Sequence, residues 1–185
     1  MSTRTDDAAK AGYAPIAIAL HWCVFVLVVA VGWLGLLHDS WPRPTQAFWI
    51  NIHVMLGLLM FALVLARIAW RLKHPAPPLP ADVGEFSRRA SHPAHMLLYA
   101  LLIVIPILGV VTFVFHGRVF DFGLFQLDLH VPRNRAIFHT TEDWHGYLAY
   151  GLFGLAGAHA LAALWHHLIR KDGVLRRMWP GLPQP

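Results

Sequence analysis

Charge is scarce in this chain. Only 14% of its 185 residues are Asp, Glu, Lys or Arg, where soluble domains carry roughly a quarter. Water is therefore not its main solvent. Cysteine is scarcer still: the single Cys23 excludes an intrachain disulfide and a cysteine-rich metal site, and its place inside an apolar run makes plain packing its ordinary role. No internal repeat and no low-complexity tract breaks the chain, which sets repeat architectures aside. The net charge is +5, with a pI near 9.9. Its basic residues gather beside apolar runs rather than along one surface helix, so no nucleic-acid partner is expected.

What is present in quantity is apolar sequence, at 57% of residues. A bilayer-crossing helix needs roughly 20 such residues, and four runs meet that length. They predict helices over about 15–37, 47–72, 93–115 and 143–169, separated by breaks rich in proline such as Pro42 and Pro44, then Pro75, Pro77, Pro78 and Pro80. The expected fold is an all-α integral membrane four-helix bundle, as one domain over 1–185. The first run is read as a retained helix, since no small-residue cleavage pattern follows it. The connection from His116 to Thr141 is the longest, and its phenylalanines and leucines suit a segment lying against the membrane surface.

Membrane orientation follows from the Lys and Arg near the helix ends. Arg4, Lys10, Arg67, Arg71, Lys73, Arg88, Arg89, Arg170, Lys171, Arg176 and Arg177 fall on one side, eleven against Arg43, Arg118, Arg133 and Arg135 on the other. Both termini are thus expected in the cytoplasm.

Thirteen histidines are many for this length, and ionisable groups within apolar runs are costly unless functional. His21, His53, His95, His145 and His159 form the intramembrane set. His145 and His159 lie 14 residues apart on one run, which is roughly 21 Å along a helix and within about 40° of one face. One helix can thus present ligands at two depths. Alternating helix directions pair His53 with His145 near the outer face, and His21 with His159 near the inner face. His95 competes for the inner position, but helix arithmetic puts it nearer the membrane surface than His21. Paired neutral imidazoles in a bundle core are haem ligands, whereas two depths so far apart cannot share one zinc ion. A CxxCH motif is absent, so each of the two haems would be held non-covalently, as haem b.

Arg67 follows His53 by 14 residues and reaches the inner depth, where a haem propionate could meet its charge. Gly57, Gly109 and Gly146 would let a macrocycle or a helix approach closely.

The stretches IALHW (Ile18 to Trp22), NIHVMLG (Asn51 to Gly57), HPAHMLLY (His92 to Tyr99) and IPILG (Ile105 to Gly109) stand in order along the chain. WHGYLAYGLFGLAGAHALAALWHH (Trp144 to His167) and RKDGVLRRMWP (Arg170 to Pro180) complete them. Together they resemble the bacterial cytochrome b561 family over nearly the whole chain. The resemblance implies a dihaem cytochrome b of the bacterial inner membrane, moving electrons between an outer-face reactant and the quinone pool. The activity it implies is superoxide oxidation with ubiquinone as acceptor. Arg118, Arg133, Arg135 and His139 are then the outer-face candidates for the superoxide site, and His92, His95, Arg71 and His166 the quinone candidates. Membrane lipid, quinone and superoxide or another periplasmic donor are the partners expected. The other reading is a cytochrome b subunit serving a hydrogenase, a dehydrogenase or a soluble cytochrome c without a substrate of its own.

Overall fold

The computed structural model describes residues 12–79 and 83–179. Arg4, Lys10, Pro80 and Pro180 lie outside them. Four long helices dominate: α1 (Pro15–Leu36), α2 (Arg43–Lys73), α3 (Glu85–Phe115) and α4 (Arg135–Trp165). All four are long and apolar enough to cross a membrane. α1 packs chiefly on α2 and α3 chiefly on α4, while α2 and α3 join the two hairpins.

The shared core is small. Val24, Met60, Val64, Leu102, Ile105 and Leu152 bring all four helices to one buried cluster. Large apolar side chains outside it point outward, among them Trp33, Leu59, Leu97 and Leu161. A helix apolar all round belongs in lipid, where every backbone polar group must be satisfied within the helix.

Three of the helices start before their apolar runs do. α2 begins at Arg43 because Pro42 serves as its N-cap and Pro44 occupies its first turn, a position that tolerates proline; the pair opens the helix as well as ending the preceding break. α3 begins at Glu85 instead of residue 93, and the Glu85–Arg89 ion pair at 2.8 Å braces its polar first turns. α4 begins at Arg135 instead of residue 143. Asn134 caps it, its side-chain oxygen accepting from the backbone N–H groups of Ala136 and Ile137 at 3.0 and 3.1 Å. At its other end α4 passes into a π-helical turn, His166–Arg170, that closes with Lys171 in the left-handed conformation.

The connection between α3 and α4 contains a short antiparallel hairpin, β1 (Phe120–Asp121) with β2 (Gln126–Leu127), absent from the expected organisation. Asn51 holds it against α2, donating to the Asp121 carbonyl at 2.8 Å and accepting from its N–H at 3.2 Å. This defines the hairpin end of the bundle. At the opposite, terminal end the tail folds back: Trp22 Nε1 donates to the Met178 carbonyl at 2.6 Å, and the buried Arg177 donates to the Pro78 carbonyl at 2.9 Å.

Candidate functional site

At the hairpin end, His53 of α2 faces His145 of α4 with ring centroids 6.1 Å apart. Each ring is oriented by a helix other than its own. His53 Nδ1 donates to the Val31 carbonyl of α1 at 3.0 Å, and His145 Nδ1 donates to the Ile105 carbonyl of α3 at 2.9 Å. A carbonyl only accepts, so both rings carry their proton on Nδ1 and keep a lone pair on Nε2. Two metal–imidazole bonds of about 2 Å, with about 1 Å from each nitrogen to its ring centre, would separate centroids by about 6 Å. The observed pair matches that spacing.

The surroundings match it as well. A cavity of about 480 Å³ adjoins both rings, lined largely by apolar side chains with Gly57 and Gly146 among them, within the size range of cofactor pockets. A Cβ built on Gly57 or Gly146 meets nothing within 4 Å. Those two glycines border open space. Gly109 and Gly35 line the same cavity but lie against the imidazoles: a Cβ on Gly109 would lie 3.0 Å from His145 Cε1, and one on Gly35 would lie 3.1 Å from His53 Cε1. Gly35 and Gly109 are seats for the imidazoles, a role the sequence did not reveal for Gly35.

At the terminal end, three histidines meet. His21 of α1 and His159 of α4 have centroids 6.3 Å apart, while His95 of α3 lies 5.3 Å from His159. The first distance suits an intervening metal, and the second is about an ångström short of it. His95 Nδ1 is bonded within its own helix, to the Ser91 carbonyl. Arg67 stands beside this group. Its Nη1 donates to the Ala17 carbonyl of α1 at 2.8 Å and its Nε to the Tyr99 hydroxyl of α3 at 3.1 Å, using two of the five N–H groups a guanidinium has.

The remaining candidates divide between the ends. At the hairpin end, Arg118 is partly buried at the cavity wall together with His116, and Arg133 is close enough to act on both. Burial, then Arg118 and then Arg133, hold the His116 imidazole below its usual pKa, and burial followed by Arg133 lowers the Arg118 guanidinium. Arg135 and His139 are exposed on the first turns of α4, with His139 Nδ1 at 3.8 Å from a Glu142 carboxylate oxygen. His116, which packs edge-on against Phe138 at 4.7 Å, was not among the expected site residues; it follows the last turn of α3, where periodicity gives no sign of it. At the terminal end His92 is exposed and Arg71 half-buried. His166 is buried and fully engaged, its Nδ1 on the Asp172 carboxylate and its Nε2 3.1 Å from Ser87 Oγ.

Four membrane-length helices carrying facing imidazoles at two levels define a helical membrane cytochrome. The comparisons specify which. The sequence profile described as prokaryotic cytochrome b561 matches residues 12–181. A probable superoxide oxidase CybB of Yersinia pestis is 32% identical over 170 residues, covering 91% of this chain and 96% of that protein. Cytochrome b561 homolog 2 of Escherichia coli is 30% identical over 174 residues, covering 90% of each chain. Cytochrome b561 homolog 1 of the same organism is 27% identical over 166 residues, covering 88% and 94%. The chain belongs to the prokaryotic cytochrome b561 family. It is a multi-pass bacterial membrane protein of electron transfer, and its family implies haem b.

Proposed function

We propose that this protein is a dihaem superoxide:ubiquinone oxidoreductase of the bacterial inner membrane. Two imidazole pairs at iron-bridging separation, one at each end of the bundle, are the observation that carries the reading. His53 and His145 hold one haem b, and His21 and His159 hold the other; α4 serves both. When bound, the two haems supply one-electron carriers across the bilayer. Arg67, with N–H groups left beyond its bonds to α1 and α3, would supply the counter-charge to a propionate of the second haem.

The excess of Lys and Arg at the terminal end supports a cytoplasmic position for that end and a periplasmic one for the hairpin end. Superoxide then arrives at the hairpin end, where Arg118 and Arg133 offer positive charge next to the cavity that holds His53 and His145. Arg135 and His139 lie farther out on the same face. Two superoxide ions release two dioxygen molecules and two electrons, and one ubiquinone takes those electrons with two protons to become ubiquinol. His92, His95, Arg71 and His166 mark the cytoplasmic end where the quinone is reduced. The name carried by the Yersinia pestis relative agrees with this direction.

The test follows haem absorbance in purified protein exposed to enzymatically generated superoxide, with and without ubiquinone. Haem reduction that superoxide dismutase abolishes, and steady ubiquinol production, are the expected results. Haem reduction no faster than in the presence of superoxide dismutase overturns the donor assignment.

A further inference from the structure

The β1–β2 hairpin carries its most exposed apolar side chains at its tip. Leu124 is 98% exposed and Phe125 60%, and Phe122, stacked on Phe125 at 4.8 Å, is exposed as well. The tip is held in one shape. Gly123 turns the chain at φ +79°, its N–H donating to Asp121 Oδ1 at 2.8 Å, while the Phe122 N–H donates to the Phe125 carbonyl at 3.0 Å. Gln126 Nε2 donates to the other Asp121 carboxylate oxygen at 3.2 Å. Both oxygens are thus taken up inside the turn, and no other charged residue occurs between Val119 and Leu127. A fixed apolar cluster of this kind marks a surface that meets something other than water.

The depth of the hairpin says what that is. Asn51 grips the Asp121 backbone with both ends of its amide, so β1 stands level with Asn51. Asn51 precedes His53 by two residues, about 3 Å along α2. From Asn51 back to its start at Arg43, α2 continues for about 12 Å toward the hairpin end. The chain from Asp121 to Leu124 spans at most about 10 Å, so the tip stays below the start of α2. It lies beside the helices and not above them. At that level α2 reads Ala47, Phe48, Trp49 and Ile50, and Phe48 of α2 with Trp144 and Tyr147 of α4 are exposed. Such exposed aromatics form the girdle found where acyl chains meet headgroups, and the tip continues it. A soluble partner approaching from the water would meet the first turns of α4, which begin about 15 Å beyond His145, before it met the tip.

We infer that the hairpin is a lipid anchor, its tip seated in the leaflet at the hairpin end with Phe122, Leu124 and Phe125 at the boundary of headgroups and acyl chains. Leucine and aromatic side chains partition to this boundary. The anchor is tied to the site. Phe120 of β1 is buried against Phe113 at 4.7 Å, and Phe113 lines the cavity beside His53 and His145. Lipid that holds the tip therefore holds Phe120 against a wall of that cavity.

The experiment uses the full haem-loaded chain in phosphatidylcholine nanodiscs, which leave both membrane faces open to water. The photoreactive residue p-benzoylphenylalanine replaces Leu124 or, as a water-side control, the exposed Ala136 in the first turn of α4. On irradiation, position 124 should form several-fold more phospholipid adduct than position 136, read by mass spectrometry. In a second measurement Cys23→Ser removes the native thiol. Leu124→Cys should then react several-fold more slowly than Ala136→Cys with a charged maleimide, because the reacting thiolate needs water. The difference should vanish on unfolding in dodecyl sulfate. Wild-type haem content reports that each variant is folded, and Phe125→Cys repeats the measurement at a second site of the tip. Tip thiols as reactive as Ala136→Cys overturn the anchor, as does lipid adduct at position 124 no greater than at 136, or cross-linking of position 124 to a second copy of the chain.

Discussion

The two ends of the bundle hold histidines in different ways. At the hairpin end, His53 and His145 are each fixed by a carbonyl from a neighbouring helix and each rest on a glycine, beside a largely apolar cavity. At the terminal end, His21 and His159 meet a third histidine, His95, and the charged Arg67, which cross-links three helices. The first arrangement fixes ring direction and tautomer, and the second sets one guanidinium, that of Arg67, beside the rings. Redox centres are tuned by these two means, hydrogen bonding to the ligand and local charge. A positive charge near iron disfavours the ferric state. Arg67 should therefore raise the potential of a haem held at the terminal end.

The largest effects test the pairs themselves. His53→Ala or His145→Ala should remove only the hairpin-end haem, and His21→Ala or His159→Ala only the terminal-end haem, measured as haem per protein after reduction in pyridine. His95→Ala should keep both; loss of a haem there with retention in His21→Ala would reassign the terminal-end ligand. Next come the seats. Gly109→Val places carbon about where a Cβ would lie 3.0 Å from His145 Cε1, so the hairpin-end haem should fall several-fold in occupancy or show a shifted low-spin resonance. Gly57→Ala, bordering open space, should disturb it less.

Arg67→Gln should lower the potential of the terminal-end haem alone, by on the order of tens of millivolts in a redox titration. An equal fall in both potentials would break the contrast between the ends. The smallest effect is at His116. Its imidazole is held below 6.5 by burial first and by Arg118 and Arg133 next, so the folded protein prefers it neutral. Stability from this group is complete above pH 6.5 and is lost as pH falls below it toward the lowered value. Arg118→Gln should move the His116 midpoint upward in an NMR titration, by less than the full displacement because burial remains.

Much of this architecture was legible in the chain. Four apolar runs and their proline-rich breaks announced the helices, and the 14-residue spacing of His145 and His159 announced two levels. Helix starts were harder, because hydropathy marks where lipid begins and not where the helix does: Asn134 and the Glu85–Arg89 pair carry α4 and α3 beyond their apolar spans. The β1–β2 hairpin was missed because strands of two residues leave no periodic pattern.

The sequence by itself determined the solvent of this protein, its helix count, its family and the histidines available at each depth. These depend on composition, spacing and order, which are properties of the chain taken one residue after another. Only the tertiary structure decided which rings stand an iron's width apart, which carbonyl holds each Nδ1, and that Ser87 and Asp172 converge on His166 from 79 and 6 residues away. Those relations depend on differences of about an ångström between helices that are distant in the chain, and such distances exist only after the bundle has packed.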